Sequence, residues 1–273
     1  MRMKTLIIKK IIKKILSKKI YNFLYKLKIL FFKKRLNLIG NYKTYSEALK
    51  NSNGYHELEI LSKVEDAIIR TIEEENIWER DGFIFQNPQP QLEIVKIIKS
   101  LTNKNLSIVD FGGGLGTLYF NNRELFKSVD RYYVIEQNNF VVSGENISKK
   151  YKLPIKFKKS LDEIEFIPDL IIFSSVLQYI PNLEEVLIKA NKIAPQRIVI
   201  DRTCYSKKSQ MKWHVQLSEC YYEKTISYPI RPLNKNYMLN LLNNYKVKKK
   251  WHNDFDVDIP IHEGLLLEKL SNK

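Results

Sequence analysis

Cysteine is almost missing from this 273-residue sequence: Cys204 and Cys220 are all it has. Two thiols give no disulfide framework, and no Cys/His cluster has zinc-ligand spacing, so neither staples nor a metal site is expected. Such usage suits a reducing cytoplasm. Long apolar runs are missing too, and with none of 18 or more residues no spanning helix is predicted. Acidic residues do not occur in the first forty positions, which hold thirteen Lys or Arg. Lysines interrupt every apolar stretch there and no small-residue cleavage site follows, which makes a poor signal peptide. Glycine is scarce at nine, so a cluster of it stands out. What is present, 44% hydrophobic and 12% aromatic residues, excludes a disordered chain and is enough for one α/β domain with extensions.

The net charge of +16 resembles a nucleic-acid signature until it is located. Beyond residue 40 the chain carries 33 basic against 30 acidic residues. A near-neutral body argues against a domain that grips a phosphate backbone, so no nucleic-acid partner is expected. Residues 5–34 read as a basic amphipathic helix. Ile8, Ile12, Ile15, Leu16, Ile20, Phe23, Leu24, Leu27 and Phe31 fall on one stripe, opposite the pairs Lys9/Lys10, Lys13/Lys14 and Lys18/Lys19. This pattern suits an anionic membrane surface, each lysine adding about 1 kcal/mol; docking on a protein partner is the alternative. The expected location is cytoplasmic, peripheral at the inner membrane face.

The expected organisation is a basic helical segment over 1–38, a helical cap over 39–104 and an α/β domain over 105–273 with an insertion at about 203–234. In the cap, Ser46 is the expected N-cap of a first helix. A second helix is predicted over about 57–77, ended by the stretch Trp78-Glu-Arg-Asp-Gly-Phe83, and a third near 90–101. Strands then alternate with helices. Strands are predicted near 106–111, 131–136, 155–158, 169–174 and 197–201, with helices over about 116–128, 139–151 and 183–193. A helix from Tyr237 to Asn243 and closing strands Tyr245–Trp251 and Gly264–Leu267 complete the pattern. Alternation of this kind signals a parallel sheet with crossover helices. The strands at 106–111 and 169–174 are nearly continuous apolar runs, as strands covered on both faces require.

Four of the nine glycines fall in Asp110-Phe-Gly112-Gly113-Gly114-Leu-Gly116, at the end of the first strong strand. The stretch reads D-x-G-x-G-x-G. Glycines there let the chain turn sharply and let a ligand lie against bare backbone, ahead of a helix with free N–H groups. A dinucleotide site would want G-x-G-x-x-G, and the sixth position from Gly112 is Thr117, so S-adenosylmethionine is favoured over a nicotinamide cofactor. Glu136 ends the next strand, 24 residues after Gly112, where an acid can accept from both ribose hydroxyls. Ser174, Ser175, Gln178 and Tyr179, at the end of the strand at 169–174, are expected at the switch point under the cofactor; helix capping and core packing are the alternatives. Asp162, in the turn Ser160-Leu-Asp162, is a candidate for the adenine amino group, or else part of a helix cap.

These residues resemble the class I S-adenosylmethionine-dependent methyltransferases, and more narrowly a methyltransferase family encoded among surface-polysaccharide biosynthesis genes. The resemblance covers about residues 39–268. It rests on Gly54-Tyr55, Glu79-Arg-Asp-Gly82, Asp110-Phe-Gly-Gly113 with Leu115-Gly116, and Val134-Ile-Glu-Gln137. It continues through Ser174-Ser-Val-Leu-Gln-Tyr179, Ile200-Asp-Arg-Thr203 and Ser227-Tyr-Pro229. Ile230-Arg231-Pro232 departs from the family, which has a bulky aromatic after Ser-Tyr-Pro. The resemblance implies a Rossmann-like methyltransferase fold with a mostly parallel seven-stranded sheet, helices on both faces and a helical N-terminal extension. It further implies S-adenosyl-L-methionine held by the glycine bend, Glu136 and Gln137, and methylation of a glycan or glycolipid acceptor. Another small-molecule, lipid or protein acceptor, or a non-catalytic cofactor-binding module, remains open.

Methyl transfer to a hydroxyl needs alignment and a base. Asp201, ending the fifth strand, is the first candidate base and His214 the second. Arg202 is a candidate for holding an anionic acceptor, unless Asp201 and Arg202 form a structural ion pair. The Tyr-rich stretch 203–234, with Tyr221, Tyr222, Tyr228 and Arg231, is expected as a lid or acceptor site.

Overall fold

The computed structural model describes residues 37–271 apart from 54–56, 88–91, 102–104, 207–209, 219–225 and 253–260. The expected amphipathic helix over 5–34, Gly54-Tyr55, Cys220, Tyr221 and Tyr222 lie outside the described residues.

In chain order the elements are β1 (Asn37–Tyr42), α1 (Tyr45–Lys50), α2 (Glu57–Glu73), β2 (Trp78–Arg80), β3 (Phe83–Phe85) and α3 (Leu92–Lys99). The α/β alternation follows: β4 (Leu106–Phe111), α4 (Thr117–Phe120), α5 (Arg123–Phe126), β5 (Val129–Ile135), α6 (Asn138–Tyr151) and β6 (Ile155–Lys158). Then come β7 (Leu170–Ser174), α7 (Leu183–Ile193), β8 (Arg197–Ser206), β9 (Trp213–Ser218), β10 (Ile226–Ile230), β11 (Leu233–Asn234), α8 (Lys235–Leu241), β12 (Tyr245–His252) and β13 (Ile261–Lys269).

The central sheet runs β6-β5-β4-β7-β8-β13-β12, with the two-residue β11 added beside β8. The first five strands are mutually parallel, and β13 and β12 close the sheet antiparallel. This is the Rossmann-like α/β architecture implied by the sequence. Strand order reverses between β4 and β7, and the carboxyl ends of those strands form the crevice where open α/β sheets take ligands.

Alternation along the strands feeds two cores. Ile108 and Ile172 point into one with Ile68, Ile98 and Phe140 from α2, α3 and α6. Val109, Ile171 and Phe173 point into the other with Leu183 and Leu187 of α7 and Met238 of α8. Each fully buried aliphatic side chain contributes about 1.5–3 kcal/mol, so β4 and β7 are pinned from both faces. That fixes the geometry of everything attached to their carboxyl ends.

Four local features differ from expectation, each for a physical reason. Thr44, not Ser46, caps α1. Its backbone is extended, its side chain accepts from the Glu47 N–H, and the Glu47 carboxylate reaches back to the backbone N–H of the cap, a complete capping box. Residues 78–85 form an antiparallel hairpin, β2 against β3, around Asp81 and Gly82, both at positive φ; Asp-Gly is the residue pair such turns select. The helix expected over 116–128 is broken in two. Asn121 turns its side chain to both backbone groups of Glu79, while Asn122 bonds the Leu118 carbonyl. Side-chain amides that compete for backbone in this way interrupt helices. Finally, the expected insertion is folded: β9 is the middle strand of a second sheet, β1-β9-β10, so β1 crosses to pair with residues about 175 positions later.

Among the described residues no helix is long and apolar enough to cross a membrane.

Candidate functional site

The glycine bend leaves β4 at the switch point. The Gly112 N–H donates to the Ile135 carbonyl at the end of β5, holding the two strand ends together. Gly112 has φ +74, and a Cβ there would stand 2.5 Å from Val176 Cγ2, so any side chain would force the β7 loop away. Gly113 packs on the Asp110 carboxylate. Gly114 is the opposite case: its φ is +60, yet a Cβ would meet nothing within 4 Å. Bare backbone facing open space is what a cofactor laid against the chain requires. Gly116, also at positive φ, caps α4.

Glu136 sits across that opening. Its Oε1 accepts from the Gly114 N–H at 3.1 Å and its Oε2 from the Gln137 N–H at 2.9 Å. The carboxylate is half-buried, held by the bend and by the start of α6, where Gln137 is the exposed N-cap residue. The glycines and the acid, far apart in sequence, thus form one unit.

Below the bend lies a buried acid. Asp110 Oδ2 accepts from the Tyr132 hydroxyl at 2.6 Å. Burial pushes its carboxyl up to about 6, against the opposing pull of the Tyr132 hydroxyl and the Arg202 charge. A second buried acid went unrecognised in the sequence. Glu79, completely buried, accepts from the Gly82 N–H at 2.8 Å and from the Thr117 hydroxyl. It joins the β2-β3 hairpin to the first residue of α4. Nothing in its local sequence marks it as buried.

The remaining predicted residues divide. Ser175, at φ +59, donates its N–H to the Asp201 carbonyl, at the head of the β7 loop. Ser174 Oγ receives Arg202 Nε and Nη2 at 3.2 and 3.0 Å. Gln178 is 1% exposed, and its Nε2 donates to the Arg202 carbonyl. Tyr179 stands edge-on to Tyr228 and donates to Gln216 of β9. Asp162 lies apart in an exposed 3₁₀ turn capped by Ser160, its carboxylate paired with Lys189 at 2.6 Å.

Asp201 is 5% exposed, with Oδ1 accepting from Trp251 Nε1 at 2.8 Å and Oδ2 facing Ser174 and Arg202. Both oxygens are engaged, which is the geometry of a structural tie between β8, β7 and β12. Asp201→Ala is expected to lower stability by about 2–4 kcal/mol, since it strands the indole N–H and removes the carboxylate beside the half-buried Arg202 guanidinium; urea melts read this directly. His214, on β9, places Nδ1 2.7 Å from the Gly40 carbonyl. A carbonyl only accepts, so Nδ1 carries a proton.

No protein-family model and no curated protein matches the sequence. Solved structures do resemble the fold. An S-adenosylmethionine dependent methyltransferase from Mesorhizobium loti is 11% identical, covering 64% of this chain and 96% of its own at a TM-score of 0.44. The magnesium protoporphyrin IX methyltransferase of Synechocystis, with S-adenosylhomocysteine bound, is 11% identical over 65% and 84%, at 0.44. A 1,6-didemethyltoxoflavin-N1-methyltransferase from Burkholderia thailandensis is 12% identical over 80% and 91%, at 0.45.

Proposed function

We propose that the protein is an S-adenosyl-L-methionine-dependent methyltransferase that O-methylates a glycan or glycolipid precursor in surface-polysaccharide biosynthesis. The observation that carries the enzymatic part is the pairing of Glu136 with the Gly114 N–H beside the uncovered backbone of Gly114. In this reading Gly112, Gly113, Gly114 and Gly116 cradle the amino-acid and ribose portions, and Glu136 exchanges backbone partners for the ribose hydroxyls. Gln137, Ser174, Ser175 and Gln178 line the floor, and Asp162 reaches the adenine by releasing Lys189. When bound, the cofactor supplies an electrophilic methyl group on a sulfonium.

The chain's own task is to place an acceptor hydroxyl in line with that methyl, keep water out and take up the hydroxyl proton. His214, its ring oriented by the Gly40 carbonyl, suits the base; Asp201 suits orientation of Arg202 and Trp251. The catalytic body is assigned from residue 39 onward. The basic segment 5–34 is assigned to an anionic membrane surface at the inner face, where lipid-linked glycan precursors are met. The specific acceptor and this location derive from the family resemblance and the tail's charge pattern.

Calorimetry with S-adenosylmethionine and S-adenosylhomocysteine tests the core of the proposal. Binding of both in the micromolar range is expected; absence of heat with either removes the enzymatic reading. Loss of one methyl increment from surface glycans of a deletion strain, read by mass spectrometry, tests the acceptor class.

A further inference from the structure

Two buried polar side chains at the carboxyl edge lack what their chemistry demands. Arg231 is 9% exposed. Its Nε and Nη2 make no hydrogen bond and are shielded from solvent. These two nitrogens form the side-on edge of the guanidinium, the edge that receives a carboxylate or phosphate through two parallel bonds. Elsewhere the group is held: its carbon lies 4.7 Å over the Trp213 ring, and Nη1 stands 3.9 Å from Glu184. Arg202, the sequence's candidate for this duty, has the same edge filled by Ser174.

In the residue that its backbone pairs with, Gln178 Oε1 is likewise buried without a donor. Its amide orientation is fixed, because Nε2 faces the Arg202 carbonyl and only the NH₂ end can donate there. The two residues are joined through their backbones, the Arg231 N–H donating to the Gln178 carbonyl at 2.8 Å. β11, two residues further on, pairs parallel with Tyr205 and Ser206 of β8. β13 already takes the other edge of Tyr205, so β11 extends the lane of β7. Arg231 therefore stands just beyond the end of β7, next to the loop whose Val176 abuts Gly112. A buried guanidinium edge without acceptors is costly. An equally unmatched acceptor on the residue paired with it through the backbone points to a ligand that supplies both partners.

We propose that Arg231 and Gln178 form the acceptor subsite for an oxyanion-bearing hydroxylated substrate. A carboxylate or phosphate seats on the Nε–Nη2 edge, and a neighbouring hydroxyl donates to Gln178 Oε1. Both nitrogens are shielded, so entry involves displacement of side chains rather than filling of an open groove. As an acceptor site the pair rests on the methyltransferase reading; as an anion site it does not.

The test uses the full-length protein saturated with S-adenosylhomocysteine and titrated with glucuronate, glucose 1-phosphate and glucose. At least one charged sugar is expected to bind tenfold or more tightly than glucose, and which one does identifies the oxyanion. Arg231→Gln is expected to remove that preference while S-adenosylhomocysteine affinity stays within twofold. Arg231→Met is expected to melt no lower than the parent protein, because it exchanges a buried guanidinium with two unmatched donors for an apolar side chain of similar volume. Equal binding of charged and neutral sugars, an unchanged preference in Arg231→Gln, or an Arg231→Met melting point several degrees down would each overturn the proposal. Failure of S-adenosylhomocysteine to bind while a charged sugar still does would instead overturn the methyltransferase reading alone.

Discussion

Glu136→Ala is expected to weaken S-adenosylmethionine and S-adenosylhomocysteine binding by about 100-fold or more while the melting temperature moves by only a few degrees. The magnitude follows from two charge-assisted hydrogen bonds to ribose hydroxyls, each about 1.5–3 kcal/mol, less the recovery of some water contacts. The stability side follows from the geometry. Glu136 is half-buried, and the N–H groups it accepts from belong to Gly114 and to the exposed Gln137, so water replaces the carboxylate. Glu136→Gln, which keeps the shape and loses the charge, is expected to fall between the two. Calorimetry on the three proteins decides it, and unchanged affinity in Glu136→Ala would remove the acid from the cofactor site.

The second large effect is a pH dependence centred on Glu79. Burial pushes its carboxyl up to about 7 from an ordinary 4.5. Below pH 4.5 the carboxyl is protonated in folded and unfolded chains alike, and the stabilising advantage of the neutral form is fully present. Between 4.5 and 7 the folded protein holds a proton that the unfolded chain has released. Stability then falls by about 1.4 kcal/mol per pH unit, roughly 3 kcal/mol in all, and the loss is complete above 7. Asp110, pushed up to about 6 from 3.8, acts with the same sign over a lower window. Glu79→Gln keeps an acceptor for the Gly82 N–H and cannot ionise. It is expected to stabilise the protein at pH 8 by about 2–3 kcal/mol, with little gain at pH 5. Urea melts at the two pH values measure both numbers; parallel pH profiles for parent and variant would defeat the account.

What could be read from sequence was set by how local the cause is. β4 was bounded to the residue and β7 to within one, because apolar runs covered on both faces leave no alternative register, and β6 to the residue, because its apolar and lysine positions alternate. The bend and Glu136 were legible as a spacing, since glycine and an acid at strand ends report what backbone geometry permits. The hairpin at Asp81-Gly82 and the capping box at Thr44 also had local signals, outweighed by the helical periodicity around them. The place of β1 in the sheet β1-β9-β10 had none: it pairs with β9 across most of the chain, so its partner is invisible in either segment alone. Asp201 shows the other limit. A strand-end acid reads the same whether it faces an acceptor or the Trp251 indole, and only the fold distinguishes them. Arg231 appeared in sequence as a departure from a family pattern, and its missing partners became visible only once its neighbours were assembled.

That long-range sheet links the first described strand to the loop after β7. β1 begins at Asn37, opposite Leu217 of β9, and β9 touches the β7 loop through Gln216 and Tyr179. Asn37, the first described residue, thus sits one strand away from the loop that carries Gln178 and Tyr179. If the basic residues before Asn37 bind a membrane surface, as proposed, a substrate embedded in that surface would meet the β7 loop at high effective concentration, whereas one free in solution would gain nothing from the attachment.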